Sequence, residues 1–150
     1  GNYRDRKISL NARTNQSRGY WGNFAISKGD YFGGNKTSWN TSIGRQFSNH
    51  LTLYGSANQN IIFMPNQGEF TANIYGFTAE VALNREWFGK ALIQYDNFSN
   101  QLQFYCRVNW IHTPGSDLFI VINKLYDMSG NNNSLVQNTQ VVKLTYLFQI

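Results

Sequence analysis

The chain ends on the sequence Val142-Lys143-Leu144-Thr145-Tyr146-Leu147-Phe148-Gln149-Ile150, whose pattern decides the fold class. Apolar side chains stand at every second position from Val142 to Ile150, and three of the four residues between them are polar. Because successive side chains of a β-strand point to opposite faces, this spacing predicts a strand with one apolar face.

The same period of two recurs through the rest of the chain. In residues 101–112 the even-numbered side chains are apolar up to Trp110, whereas Gln103, Arg107 and Asn109 share the other face. No stretch shows a sustained apolar stripe with the period of a helix. We therefore predict an all-β fold, an antiparallel up-and-down meander of about 8–10 strands that forms a single domain over residues 1–150. The predicted strands are 7–13, 20–27, 36–47, 50–63, 71–83, 87–98, 101–112, 117–126 and 142–150.

The connections between these strands are predicted to be of two kinds. Residues 28–35, 64–69 and 128–138 are predicted as long loops, and the others as short turns such as Ser99-Asn100. Short and long connections alternate along part of the chain. Such alternation is typical of outer-membrane barrels, which have short periplasmic turns and longer outer loops.

Composition excludes several classes of protein. Of the 150 residues, 14% are charged and 16% are aromatic, with a net charge of +5, which argues against a disordered chain. One cysteine cannot form a disulfide within the chain, and two histidines with one cysteine are too few for a common zinc site. The basic residues are dispersed, so we predict no nucleic-acid partner. The sequence has no run of about 18 apolar residues, so it predicts no transmembrane helix. The strands of a membrane barrel can have a polar mean hydropathy, however, because polar and apolar residues alternate along them.

Three features favour a transmembrane β-barrel in the bacterial outer membrane over a soluble β-sandwich. The polar faces of the predicted strands are rich in uncharged polar residues (Asn, Gln, Ser, Thr and Tyr), which suit the lumen of a barrel. Aromatic residues stand near the predicted strand ends, as in the interfacial girdles of barrels. The end of the chain has the order of a C-terminal assembly signal, with Thr145 where Gly is commoner and Ile150 where Phe is commoner. The girdle is predicted at Tyr20, Trp21, Phe63, Trp87, Trp110 and Tyr126, and the signal at Lys143, Thr145, Phe148 and Ile150.

The predicted partners are outer-membrane lipid, lipopolysaccharide and the barrel-assembly machinery. We expect the segment to anchor the chain in the membrane, and a pore or transport role stays open.

Several segments resemble one bacterial family in sequence and in order: Tyr31-Phe32-Gly33-Gly34-Asn35-Lys36-Thr37-Ser38, Ala91-Leu92-Ile93-Gln94-Tyr95, Arg107-Val108-Asn109-Trp110, Pro114-Gly115-Ser116-Asp117-Leu118-Phe119 and Val142-Lys143-Leu144-Thr145-Tyr146. The resemblance is to the C-terminal end of large outer-membrane proteins, common in Bacteroidetes, in which a family-9-like carbohydrate-binding module precedes a long barrel domain of unknown function. It implies that these 150 residues are the last part of a larger barrel and that a sugar-binding module lies upstream. An odd count of nine strands agrees with such a fragment, because bacterial single-chain barrels have even strand numbers. The resemblance supplies no catalytic residues.

Two other functions stay open from the residues alone. A soluble lectin-like domain would stack sugars on Trp21, Trp39 and Tyr54. A barrel hydrolase would need His112 to act with Ser116 and Asp117, but spacing alone does not indicate a triad. Cys106 lies on an apolar face and is expected to be a buried or lipid-facing thiol. We predict that the protein is not an enzyme and holds no cofactor or metal.

Overall fold

The computed structural model describes residues 6–15, 19–130 and 133–148, and it contains nine β-strands in one sheet. No helix in the described residues is long and apolar enough to cross a membrane. The strands are β1 (Lys7–Arg13), β2 (Tyr20–Tyr31), β3 (Gly34–Ser48), β4 (Leu51–Met64), β5 (Gly68–Ala82), β6 (Trp87–Asp96), β7 (Gln101–Thr113), β8 (Ser116–Asp127) and β9 (Ser134–Thr145).

The strands follow one another across the sheet in chain order, and every neighbouring pair is antiparallel. The predicted all-β antiparallel meander is therefore confirmed.

Tight turns connect neighbouring strands of this meander. Phe32 and Gly33 both have positive φ values, 46° and 79°, and form the two-residue connection between β2 and β3. Turns of this kind match the right-handed twist of the strands they join.

The prediction of a long loop at residues 28–35 is wrong. The ladder between β2 and β3 continues to the pair Tyr31 and Gly34, because the left-handed residues at 32 and 33 reverse the chain at once. The predicted loops at residues 64–69 and 128–138 are also too long, since β4 ends at Met64, β5 begins at Gly68, and residues 134–138 belong to β9.

The last strand, β9, lies closer to the N-terminus than the predicted strand at residues 142–150. It ends at Thr145 instead of continuing to residue 150, and residues 149 and 150 lie outside the described part of the chain. The ladder stops at Thr145 because its partner strand β8 begins at Ser116, and beyond Thr145 the N–H of Leu147 donates to the Ser116 hydroxyl at 3.0 Å. The alternation itself is correct, since Val142 pairs with Ile120 and Leu144 with Leu118.

The register gives the sheet two distinct faces, because residues paired across an antiparallel ladder point to the same side. The apolar face consists of the even-numbered residues of β1, β2, β7 and β8, the odd-numbered residues of β3 to β6, and the even-numbered residues of β9 from 138 onward. The polar face consists of the remaining strand residues. Each apolar position therefore has apolar-face neighbours on the adjoining strands.

The sheet forms a single layer in the described residues. Ile62 is the one large hydrophobic side chain buried there, and it lies on the polar face. Gly44, Thr78 and Asn109 are buried on the same face. Four of the five buried residues in the described part of the chain therefore lie on the polar face, and the fifth, Ser116, lies at the start of β8.

Candidate functional site

The apolar face carries exposed large hydrophobic side chains on strands from β1 to β9, with polar side chains such as Gln59, Asn73 and Lys124 among them in its lower half. Its large side chains leave much of their area uncovered, from 81% of Ile8 on β1 through 67% of Ile43 and 50% of Phe77 to 72% of Leu144 on β9. Soluble monomers rarely expose a contiguous apolar patch larger than a few hundred Å². An amphipathic sheet normally buries its apolar face against a second layer. The described residues supply no such layer, so this face is the most prominent candidate for a contact surface.

Aromatic residues mark both ends of the apolar face. We call the end with the β1–β2, β3–β4, β5–β6 and β7–β8 connections the upper end, and the opposite end the lower end. Tyr20, Trp87 and Trp110 lie toward the upper end, and the two Trp rings stack with their centroids 5.3 Å apart. Phe63 and Tyr126 lie toward the lower end. Five of the six predicted girdle residues thus share one face and form an upper and a lower aromatic row.

The upper row is inclined to the direction that runs straight across the strands. Following the paired residues from Tyr20 on β2 leads to Ala91 on β6, whereas Trp87 lies four positions closer to the upper end. With about 3.3 Å per residue and about 4.8 Å per strand, four residues over four strands give an inclination of about 35°.

The lower row is inclined in the same direction. The paired residues lead from Tyr126 on β8 to Ala57 on β4, and Phe63 lies six positions further toward the lower end. Six residues over four strands correspond to about 46° with the same spacings. The line from Tyr20 to Trp87 and the line from Tyr126 to Phe63 are therefore inclined in the same direction, at angles close to the strand tilt of about 35–45° in membrane barrels.

Trp21 is the exception among the predicted girdle residues. It lies on the polar face, where its indole covers Gly44 so closely that a Cβ at position 44 would overlap the ring. The period of two requires this difference, because Tyr20 and Trp21 are adjacent and point to opposite sides. Trp39, in contrast, lies on the apolar face, 5.8 Å from Phe24. The sugar-stacking trio of the lectin-like alternative is thus divided between the two faces, with Trp21 and Tyr54 on one and Trp39 on the other.

The polar face holds a set of side-chain hydrogen bonds. The Ser38 hydroxyl donates to Asn60 at 2.8 Å, and the Gln103 amide donates to Asn123 at 3.1 Å. Lys90 donates to Glu80 at 2.9 Å. Such pairs suit a surface that contacts water or a polar solute, since each polar group is satisfied without a second layer.

The sequence did not indicate one cluster on this face, around Lys90 and Arg107. Lys90 also donates to the Tyr54 hydroxyl at 3.2 Å, and Arg107 donates from Nε to the Asn109 side chain at 2.7 Å. Lys90 and Arg107 are directly paired across β6 and β7. The sequence pattern does not show that these two residues are paired, because the register between β6 and β7 depends on the length of the turn that connects them.

The residues of the hydrolase alternative, His112, Ser116 and Asp117, lie on the β7–β8 hairpin, in which Ile111 pairs with Asp117 and Thr113 with Ser116. His112 packs on Trp110 with ring centroids 5.1 Å apart, whereas Ser116 is 3% exposed and its hydroxyl accepts the N–H of Leu147. Cys106 is half-buried on the apolar face.

The residues of the predicted assembly signal lie at the end of the sheet. Lys143 and Thr145 are on the polar face of β9, and Phe148 follows the strand with 80% of its surface exposed. Ile150 lies outside the described residues. The assembly role stays a prediction.

No protein-family model matches the chain, and the searches of curated proteins and of solved structures found no match either. The resemblance to the large outer-membrane proteins therefore stays a prediction.

Proposed function

We propose that the chain is a segment of a transmembrane β-barrel that anchors its protein in the bacterial outer membrane, with lipid on the apolar face and a polar lumen on the other. The observation that supports this most strongly is the exposed apolar face bounded by two aromatic rows inclined in the same direction. On β6 the upper row lies at Trp87, and the lower row, midway between Phe63 on β4 and Tyr126 on β8, lies three residues beyond Tyr95, so the two rows are eleven residues apart. That separation is about 36 Å along the strand direction and about 28 Å along an axis tilted by about 40°, close to the lipid-facing band of about 25 Å in such barrels.

The edges of the sheet also bear on this proposal. In the described residues β1 and β9 each pair with one neighbour, and every residue of both strands is exposed. An unpaired backbone group costs several kcal/mol in hydrocarbon, so a membrane sheet must be closed. The proposal therefore requires either pairing of β1 with β9 or further strands of a larger barrel between them. The partners would be lipid, lipopolysaccharide and the machinery that assembles barrels.

Alternating solvent access tests the proposal. A single cysteine is placed at Ile93 or at Gln94 in a Cys106→Ala background, and each variant is labelled with a fluorophore and reconstituted into lipid vesicles. These neighbours face opposite sides of β6, so they form a matched pair.

We expect brominated lipid tails to quench the label at position 93 and a water-soluble quencher to reach the label at 94. Native Cys106, on the same face as Ile93, should behave like position 93. Equal quenching by the aqueous reagent at all three sites would contradict the proposal. So would a chain that stays monodisperse in buffer without detergent.

A further inference from the structure

We propose that Lys90 and Arg107 form a binding site for the carboxylate or phosphate group of a small organic anion on the polar face. The two cations are directly opposite each other on β6 and β7. Like charges in that position destabilise a sheet, so their pairing needs a compensating negative charge. The site goes beyond lipid contact. It rests on the proposed function in one respect: if the chain is part of a barrel, the polar face lines the lumen and the site is reached by solutes in that lumen.

One carboxylate contacts this pair of cations, and it contacts Lys90. Glu80 accepts a hydrogen bond from Lys90 at 2.9 Å, and this is the only ion pair among the residues that the structure describes. Arg107 has no carboxylate partner in that part of the chain. The cluster therefore keeps one surplus positive charge, which an oxyanion can neutralise.

Arg107 is held in place by two contacts that are not ionic. Its Nε donates to the Asn109 oxygen at 2.7 Å, and its guanidinium carbon lies 5.2 Å from the centre of the Phe119 ring. Asn109 is itself only 8% exposed. An arginine oriented in this way loses little side-chain entropy when it binds an oxyanion, and its remaining N–H groups form a planar fork suited to carboxylate or phosphate.

A recess of about 350 Å³ lies at this cluster, and Thr52, Glu80 and Phe88 line it together with the two cations. This volume corresponds to about ten to twelve water molecules at about 30 Å³ each. It therefore suits a small organic anion and is too small for a folded partner. The apolar ring of Phe88 and the threonine hydroxyl would contact the body of the solute.

The test is a titration of the folded chain, in detergent or in buffer, with inorganic phosphate and with acetate, by calorimetry at constant ionic strength set with chloride. We expect Arg107→Gln to weaken binding of at least one probe by tenfold or more. Glu80→Gln should tighten it by threefold or more, because it removes the carboxylate that competes for Lys90. The phosphate and acetate arms show which oxyanion the site prefers.

Lys36→Gln is the matched control. Lys36 lies on the same face and over a tyrosine ring, 5.3 Å from the centre of Tyr31, but glycine and isoleucine stand opposite it. Its loss should leave binding unchanged. An equal loss in Lys36→Gln and Arg107→Gln would overturn the proposal, because it indicates a diffuse effect of net charge.

Unchanged or weaker binding in Glu80→Gln would overturn the proposal as well, and this variant keeps every contact of Arg107. Because the titration also works in buffer, failure of the site and failure of membrane insertion are separate results.

Discussion

Arginine at Ile93 should destabilise the folded chain in lipid by an amount that depends on membrane depth. The upper aromatic row crosses β6 at Trp87. Since β6 lies midway between β4 and β8, the lower row lies three residues beyond Tyr95, level with residue 98 in the turn that follows β6. Ile93 is within one residue of halfway, and it is 47% exposed on the apolar face. Arginine on the lipid face costs about 2–4 kcal/mol at the bilayer midplane, so Ile93→Arg should lower the folded-to-unfolded ratio about 30- to 900-fold.

The assay is reversible urea unfolding in lipid vesicles, followed by tryptophan fluorescence. Gln94→Arg is the control for the opposite face and should stay near the wild-type value. Leu83→Arg, placed beside Trp87 at the upper end, should cost only about 0–1 kcal/mol. If Ile93 faced water instead of lipid, its substitution would change the free energy of unfolding by no more than about 0.5 kcal/mol, as is usual for surface residues. The reasoning is refuted if Ile93→Arg and Gln94→Arg have the same free energy of unfolding.

Three further substitutions probe packing and turns in the same unfolding assay. Trp87→Ala removes the stacking on Trp110 and should cost at least about 0.5–1.5 kcal/mol, whereas Trp87→Phe should recover part of it; equal values for the two would contradict a stacked pair. Gly44→Ala should displace the Trp21 ring, cost about 1–3 kcal/mol and shift tryptophan emission, and an unchanged spectrum would count against the contact. Gly33→Ala places a side chain at φ 79° and should cost about 1–2 kcal/mol; a neutral result would exclude this turn geometry.

The alternation of the sequence was sufficient to predict the fold class and the face of most side chains. It placed Val142 and Leu144 on the correct face although the strand ends at Thr145. The end itself could not be predicted, because it depends on where the partner strand begins, at Ser116, in a distant part of the chain. A period of two defines faces and carries no information about where a ladder stops.

The cation pair illustrates why the polar site was missed. The predicted turn at Ser99-Asn100, with strands to 98 and from 101, would pair Lys90 with Asn109. The structure has a four-residue turn at residues 97–100, in which the Asp96 carboxylate accepts the N–H of Phe98 at 2.9 Å, and Lys90 therefore pairs with Arg107. A change of two residues in turn length keeps the faces but changes every partner. Turn chemistry at Asp96 is the signal that could have corrected the register.

In the proposed barrel, the inclination of the aromatic rows would also determine how wide a cylinder these strands enclose. A strand tilted by about 40° occupies about 6.3 Å of circumference, so nine strands account for about 56 Å and a diameter of about 18 Å between backbones. At about eight strands the interior is only wide enough for side chains to fill. Each additional pair of strands would widen the ring by about 4 Å with the same spacings. In the proposed barrel, the width available to a solute beside Arg107 would therefore be set by the strands that complete the ring more than by the residues on the polar face.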